Sequence, residues 1–272
     1  MDQHSTDKIF DGSIPELYDT CLVPLLFESY AIDIASRLAS RQPRRVLEIA
    51  AGTGVGTRAI VAALPGDAAI FATDLSQPML DRAAAIGTDR PIEWRQADAM
   101  QLPFRDGMFD AVVCQFGVMF FPDKAKAFAE ARRVLAPGGA LVFNVWDRIQ
   151  ENEFADSVTS ALAQFFPADP PCFLSRVPYG YHDRESIERD LQLGGFVKPP
   201  TFETLAARSR AASPRLAAIA FCQGSPLRSE IEARSADGLA KATNACADGI
   251  ARRFGSDAVD AKIQAHIVAI ES

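Results

Sequence analysis

The residues best suited to specific chemistry lie in one segment, which we call the glycine loop: Ala50-Ala51-Gly52-Thr53-Gly54-Val55-Gly56. Glycine has no side chain, so a ligand can approach the backbone of such a loop closely. Residues 45–50, with apolar Val46, Leu47 and Ile49, lead into the loop and indicate a short buried strand, and a helix is predicted from Thr57 to Leu64. We therefore expect a ligand to bind where this strand meets this helix.

Two acidic residues flank the glycine loop in the sequence. Asp74 closes a predicted strand at 69–74 and lies 74 − 52 = 22 positions after Gly52. An acid at about this distance can accept hydrogen bonds from both ribose hydroxyls of an adenosyl ligand. Glu48 lies two residues before the loop, where its charge would repel a pyrophosphate and favour a cation. Two simpler interpretations stay open: Asp74 could cap its own turn, and Glu48 could be a buried acid held by backbone donors.

The ends of the next two predicted strands add further candidates. Asp98 follows a strand at 92–96 and can accept a hydrogen bond from the amine of adenine, with Ala99 and Met100 as apolar contacts, or it can close a turn. Gln115 and Phe116 end a strand at 110–116, where the reacting group of a bound ligand should lie. Phe116 could equally be an ordinary core residue.

The charges around the glycine loop narrow the choice of ligand. The loop contains no Lys or Arg and has no GK[ST] ending, which argues against a phosphate-binding P-loop. S-adenosyl-L-methionine carries a sulfonium and an ammonium but no phosphate, so it fits the acidic surroundings. A nicotinamide-dependent oxidoreductase is a weaker alternative, because the motif GxGxxG requires glycine where Thr57 stands. A binding protein that uses the same ligand without catalysis is a second alternative.

Strands and helices alternate along the first half of the chain. Further strands are predicted at 140–146, 201–207 and 261–270. Continuous apolar strands separated by helices indicate a parallel sheet covered on both faces. We therefore predict a Rossmann-like, doubly wound α/β fold with a seven-stranded, mostly parallel sheet. In such folds ligands bind beyond the carboxyl ends of the strands.

The chain is predicted to have three parts. Residues 1–40 form an N-terminal helical cap, whose helix at 13–40 breaks near Pro24. Residues 41–147 form the core that binds the cofactor. Residues 148–272 contain the sixth and seventh strands with helical insertions that cover a substrate, including a helical stretch at 213–254 that breaks at Gly224-Ser225-Pro226.

Composition excludes several classes of protein. The formal net charge of the 272-residue chain is −7, and no basic face of the kind that binds nucleic acid is evident. The five cysteines and three histidines are scattered, which argues against a disulfide framework and a metal site. No apolar run is long enough to span a membrane. We predict a cytoplasmic protein that can form a homodimer.

Four ordered stretches resemble the class I S-adenosylmethionine-dependent methyltransferases, within them the ubiquinone and menaquinone biosynthesis group (methyltransferase type 11 domain). They are Val46-Leu47-Glu48-Ile49-Ala50-Ala51-Gly52-Thr53-Gly54, Ala72-Thr73-Asp74-Leu75-Ser76-Gln77-Pro78-Met79-Leu80, Ala97-Asp98-Ala99-Met100-Gln101-Leu102-Pro103-Phe104 and Arg133-Val134-Leu135-Ala136-Pro137-Gly138-Gly139. The resemblance covers residues 14–146 well and the remainder loosely. The long helical stretch after the predicted sixth strand departs from the family, so the acceptor of the quinone enzymes cannot be assumed.

The resemblance implies a role for each matching position. The backbone of the glycine loop, with Thr53, would hold the methionine part of S-adenosyl-L-methionine. Asp74 would hold the ribose. The other implied contacts are Ala50, Gly52 and Gly54 in the loop, Leu75, Met79, Asp98 and Ala99 at the adenine, and Gln115 at the methionine part. Tyr18 lies in a segment that resembles the N-terminal helix that closes over the cofactor in such enzymes.

The reaction that the resemblance implies is direct displacement of a methyl group by an aligned small-molecule acceptor. No metal is required, and a general base matters only for a poorly ionised acceptor. His182 is the one histidine in a segment that could form a lid, and a surface position beside a helix cap is its alternative. Aromatic residues of the second half indicate an apolar or aromatic acceptor, although packing of helices and loops explains them equally well: Phe165, Phe166, Phe173, Tyr179 and Tyr181.

Overall fold

The computed structural model describes residues 12–272, and His4 lies outside the described residues. The chain forms two compact units. In described residues, the first unit comprises 12–27, 146–180 and 206–264, and the second comprises 28–145, 181–205 and 265–272. The predicted division at 1–40, 41–147 and 148–272 stays a prediction.

The helices and strands alternate through the first half of the chain, as the sequence predicts. The strands are β1 Arg45–Ile49, β2 Ala69–Asp74, β3 Glu93–Gln96, β4 Phe109–Gln115, β5 Leu135–Trp146, β6 Thr201–Ala211 and β7 Val259–Glu271. The helices are α1 Ile14–Leu17, α2 Glu28–Ala39, α3 Val55–Ala63, α4 Gln77–Ile86, α5 Lys124–Val134, α6 Glu153–Phe165, α7 Phe173–Arg176, α8 Arg184–Leu193, α9 Pro214–Gln223, α10 Leu227–Arg234 and α11 Gly238–Phe254.

Seven strands of the described chain form one sheet in the order β3-β2-β1-β4-β5-β7-β6. The neighbouring pairs from β3 to β5 are all parallel. The strand order reverses between β1 and β4, and ligands bind beyond the carboxyl ends of strands at such a point. The predicted doubly wound, mostly parallel sheet is confirmed.

A core packs between the sheet and the pair α2 and α3. Val46 of β1 and Val113 of β4 lie against Ile34 and Leu38 of α2 and Ile60 of α3, all fully buried. The four residues of β1 from Val46 are buried in succession, as expected for a parallel strand that is covered on both faces. This core fixes the loop that follows β1.

The structure corrects three boundary predictions. The helix does not break at Pro24, because residues Tyr18–Phe27 continue it as a π-helix with Pro24 inside. The segment Pro137-Gly138-Gly139 belongs to β5, which pairs with β4 from Leu135 onward. Residues 213–254 contain a second interruption, at Ser235–Asp237, in addition to the predicted one.

Two further features bear on the range of functions. No helix among residues 12–272 is long and apolar enough to cross a membrane. The same residues contain no group of three His, Cys, Asp or Glu side chains that could hold a metal ion.

In the first unit, α11 packs against both α6 and α9.

Candidate functional site

The glycine loop joins β1 to α3 through left-handed backbone. The φ angles of Ala50, Gly52 and Gly54 are 57°, 57° and 83°. This conformation costs an alanine about 1–2 kcal/mol, so surrounding bonds must hold it. The N–H of Ala51 donates to the carbonyl oxygen of Thr73 at 2.9 Å and ties the loop to the end of β2. Strained backbone of this kind concentrates at ligand sites.

Two glycines let the loop pack against its neighbours. A Cβ on Gly54 would lie 2.9 Å from the indole of Trp94, on β3. A Cβ on Gly117, just after β4, would overlap the Cβ of Ala50 and lie 2.8 Å from the Cys114 sulfur. The loop is therefore locked between the ends of β3 and β4 by contacts that only glycine permits.

Glu48 is buried beneath the glycine loop. Its side chain accepts a hydrogen bond from the hydroxyl of Thr57 at 2.5 Å, and it lies directly against Gly56 at the start of α3. Burial raises the pKa of Glu48 from 4.5 to about 7, and the nearby Asp74 carboxylate adds to this effect. Glu48 is buried, as the alternative interpretation holds, but its hydrogen-bond donor is the side chain of Thr57 and not the backbone. This arrangement is compatible with attraction of a cationic ligand.

Asp74 organises the backbone on both sides of the candidate ribose position. Its two carboxylate oxygens accept from the N–H of Gly52 and of Ser76, each at 2.8 Å. Burial raises the pKa of Asp74, while the backbone donors of Ser76, Gly52 and Leu75 act in the opposite direction. Asp74 thus caps its turn, as the alternative interpretation holds, and also ties this turn to the glycine loop. Ser76 stands at the N-cap of α4, where serine is common, but its side chain makes no capping bond with that helix.

Asp98 closes a turn after β3. Its Oδ1 accepts from the N–H of Met100 at 2.8 Å, which supports the turn interpretation and leaves the second oxygen outside this bond. Two residues of α5 hold the chain that follows. Glu130 accepts from the N–H of Leu102, and Arg133 donates to the carbonyl oxygen of that residue. These bonds fix the position of the Asp98 turn.

A row of polar side chains crosses the carboxyl ends of three neighbouring strands. Glu48 on β1 is in register with Val113 on β4, and Gln115 on β4 is in register with Asn144 on β5. Because side chains two residues apart share a face, Glu48, Gln115 and Asn144 all lie on the face covered by α2 and α3. These strand ends offer hydrogen bonds above an otherwise apolar core.

The remaining predicted contacts differ in exposure. Leu75 is 48% exposed, as a residue that covers one face of a ligand would be, whereas Met79 and Ala99 are buried. Met100 is half-buried. Thr53 is fully buried, and its hydroxyl has no hydrogen-bond partner among residues 12–272. Buried polar groups without partners are rare and call for an explanation such as a bound ligand.

Tyr18 and His182 are distant from the glycine loop in sequence. Tyr18 belongs to the first unit, where its ring stacks on that of Phe27 at 5.3 Å. His182 directly precedes Asp183, whose side chain caps α8 as predicted. Hydrogen bonds from Ser186 lower the pKa of Asp183, and the neighbouring His182 contributes a smaller effect in the same direction. The roles of both residues stay predictions.

The predicted aromatic acceptor residues are distributed over both units. Tyr181 belongs to the second unit, and its hydroxyl donates to Asp190 at 2.8 Å. Tyr179 belongs to the first unit and packs on Trp146, with ring centroids 5.8 Å apart. Phe165 and Phe166 contact each other edge to face, and Phe173 is buried.

The contacts of Gly54 give a first prediction. Gly54→Ala should destabilise the protein by about 2–4 kcal/mol, because left-handed strain adds to a clash with Trp94. Gly138→Ala is the matched control, since Gly138 has φ 79° but no atom within 4 Å of an added Cβ. Urea unfolding of both variants measures the difference. Equal losses of stability would mean that the contact with Trp94 is unimportant.

Comparison with known proteins gives the family of this region. Residues 47–143 match the methyltransferase domain family. These residues form a methyltransferase domain. A demethylmenaquinone methyltransferase of Thermus thermophilus is 44% identical over 114 residues, which are 41% of this chain and 50% of the relative. A ubiquinone/menaquinone biosynthesis C-methyltransferase of Dinoroseobacter shibae is 39% identical over 110 residues, which are 39% of this chain and 43% of the relative.

Solved structures share the fold of the methyltransferase domain. Phosphoethanolamine N-methyltransferase 2 of Haemonchus contortus, in complex with S-adenosyl-L-methionine, aligns with a TM-score of 0.56 and 18% identity over 95% of this chain and 56% of that one. YcgJ of Bacillus subtilis aligns with a TM-score of 0.55 and 17% identity over 90% and 98% of the two chains. The chain spans about half the length of the curated relatives it matches.

The methyltransferase domain contains every predicted cofactor contact except Tyr18. Sequence reasoning missed three residues that shape its site: Trp94, Gly117 and Asn144. Asn144 had a readable signal, because it is polar within the apolar run 140–146. Trp94 and Gly117 act through contacts between elements that are distant in sequence, and such contacts leave no local pattern.

Proposed function

We propose that this protein transfers a methyl group from S-adenosyl-L-methionine to a small-molecule acceptor. The observation that carries the proposal is the combination of a left-handed glycine loop with two acids, Glu48 beneath it and Asp74 tied to it. These charges suit a cation without phosphate. The relatives named as methyltransferases support the same conclusion.

The residues present fit such a ligand. Each carboxylate oxygen of Asp74 has a further lone pair that can accept from a ribose hydroxyl while the bonds from Gly52 and Ser76 are kept. Exposed Leu75 can cover one face of the adenine. The unpartnered hydroxyl of Thr53 can bond to the methionine part. Gln115, at the end of β4, would lie beside the reacting end. Roles for Ala50, Gly52, Gly54, Met79, Asp98, Ala99, Met100 and Phe116 belong to the same proposal.

The chain's contribution to the reaction is binding and orientation. S-adenosyl-L-methionine supplies an electrophilic methyl group that a nucleophile displaces directly. The glycine loop and Asp74 hold the donor so that its methyl group faces the acceptor, and this alignment lowers the barrier. Buried Phe116 excludes water from the end of β4. The proton that the acceptor loses passes to solvent or to a base, for which His182 is the weak candidate.

We also propose an apolar or aromatic acceptor. Four rings of the first unit form a continuous row in which neighbouring centroids lie 5.3–6.0 Å apart: Tyr18, Phe27, Trp146 and Tyr179. Phe27, Trp146 and Tyr179 are buried, and Tyr18 at the end of the row is half-buried. An acceptor that packs against rings of this kind would be planar and apolar. The relatives named for demethylmenaquinone supply the first compound to test.

Titration calorimetry tests the donor assignment. We expect one site that binds S-adenosyl-L-methionine and its demethylated product, S-adenosylhomocysteine, and does not bind NAD. Binding of NAD without either sulfur compound would overturn the proposal. Turnover is measured as formation of S-adenosylhomocysteine with a demethylmenaquinone analogue and other acceptors. Donor binding without turnover on a broad acceptor panel would favour the second candidate, a binding protein without catalysis.

A further inference from the structure

We propose that Asn144 is a positioning residue that sets the conformation of Phe116 at the reacting end of the donor site. The inference rests on the proposed function, because it assigns a role within that site. It concerns a residue that lies just beyond the matched methyltransferase domain, on β5.

The amide of Asn144 has a fixed orientation. Its Oδ1 accepts from the backbone N–H of Phe116 at 2.8 Å. Rotating the amide by 180° would place its NH₂ group against that N–H, so the alternative orientation is excluded. Asn144 is fully buried, and its Nδ2 has no hydrogen-bond partner among the residues that the structure describes.

This arrangement is unfavourable for folding alone. A buried amine without an acceptor loses its bonds to water and gains none in return. An apolar residue at this position would avoid that loss and continue the apolar pattern of β5, but it would leave the buried N–H of Phe116 without its acceptor. Such groups persist in proteins where function requires them. We therefore assign the role of Asn144 to the hydrogen bond that it accepts from the N–H of Phe116.

That bond acts on strained backbone. Phe116 has φ 53°, a conformation that a bulky residue rarely adopts. Asn144 can hold the backbone of Phe116 in this conformation directly, because it accepts a hydrogen bond from the N–H of that residue. Without the bond, Phe116 is free to relax toward an ordinary conformation, and its ring would move.

The ring of Phe116 is itself part of an ordered assembly. It contacts Tyr30 edge to face, with centroids 5.3 Å apart and planes at 89°. The hydroxyl of Tyr30 donates to the carbonyl oxygen of Leu205 at 3.1 Å, which fixes the tyrosine ring. Asn144 from one side and Tyr30 from the other thus hold Phe116 directly after Gln115, which faces Gly56 and Glu48.

A double-mutant cycle tests this role. Asn144→Ala should weaken binding of S-adenosylhomocysteine about 10-fold by calorimetry. In a Phe116→Gly background the same change should weaken binding less than about 3-fold, because glycine adopts positive φ without strain. Equal effects of Asn144→Ala in both backgrounds, or unchanged affinity in a folded Asn144→Ala variant, would overturn the proposal.

Two further variants keep the test decisive. Asn144→Asp retains an acceptor for the N–H of Phe116 and serves as the test if Asn144→Ala fails to fold. Its affinity for S-adenosylhomocysteine should be within about 3-fold of wild type. A 10-fold loss of affinity with aspartate would contradict the role. Asn152→Ala is the control for general damage, since buried Asn152 satisfies its amide with Gln264 and Asp147. It should lower the melting temperature but not the affinity. If wild type does not bind S-adenosylhomocysteine, the proposed function fails instead.

Discussion

Asp74→Ala is expected to weaken binding of S-adenosylhomocysteine roughly 10- to 100-fold, or about 1–3 kcal/mol. The variant loses the proposed acceptor for the ribose, and it also releases the N–H groups of Gly52 and Ser76, which Asp74 holds at 2.8 Å. Both changes act on the same site. Calorimetry with wild type and variant at one salt concentration measures the loss.

Asp110→Ala is the matched control for this experiment. The Oδ2 of Asp110 also accepts two backbone bonds at 2.8 Å, from Arg44 and Arg45. These bonds lie at the amino ends of β1 and β4, away from the glycine loop. The control should show a comparable loss of stability with unchanged affinity. Wild-type affinity in a folded Asp74→Ala variant would remove Asp74 from the site.

The second large effect is a dependence of stability on pH that Glu48 imposes. Its pKa is about 7 in the folded protein and near 4.5 when the chain is unfolded. Between these values the folded state keeps a proton that the unfolded state has lost, so the free energy of unfolding falls as pH rises. Between pH 5 and pH 8 this amounts to about 2–3 kcal/mol, and above pH 7 the effect levels off.

Glu48→Gln isolates this contribution. Glutamine has the same shape and can still accept from the hydroxyl of Thr57, but it does not titrate. The fall in stability from pH 5 to pH 8, measured by urea unfolding, should be about 2–3 kcal/mol smaller in this variant than in wild type. The Asp110→Ala variant should show the same fall in stability from pH 5 to pH 8 as wild type. Identical pH profiles for Glu48→Gln and wild type would show that Glu48 titrates normally.

Much of the fold could be predicted because buried parallel strands leave a clear pattern. The apolar run Val46-Leu47 and the acid at Asp74 locate β1, β2 and the site between them. The start of β5 could not be predicted in this way. Pro137-Gly138-Gly139 is typical of a stop, but pairing of Leu135 with Phe109, before a register shift in β4, extends the strand across it.

The details of the site depend on contacts that no local pattern encodes. The left-handed backbone of Ala50 and Phe116 could not be predicted, because neither residue type favours it. Tertiary bonds impose it, including the one from Asn144. The π-helix around Pro24 is a similar case, since proline in a helix normally indicates a kink. Strain and its compensation therefore appear only in three dimensions.

The bonds of Asp74 have a consequence for the entropy of binding. The carboxylate joins the glycine loop to the first turn of α4, so both segments are ordered by folding. A ligand that enters such a site does not have to immobilise these segments, and the conformational entropy that usually opposes association is smaller. Donor binding should then leave the backbone motions of the loop nearly unchanged. The free-energy cost of organising the site then belongs to the folding of the polypeptide, and the proposed methyl donor would meet a surface that is already in place.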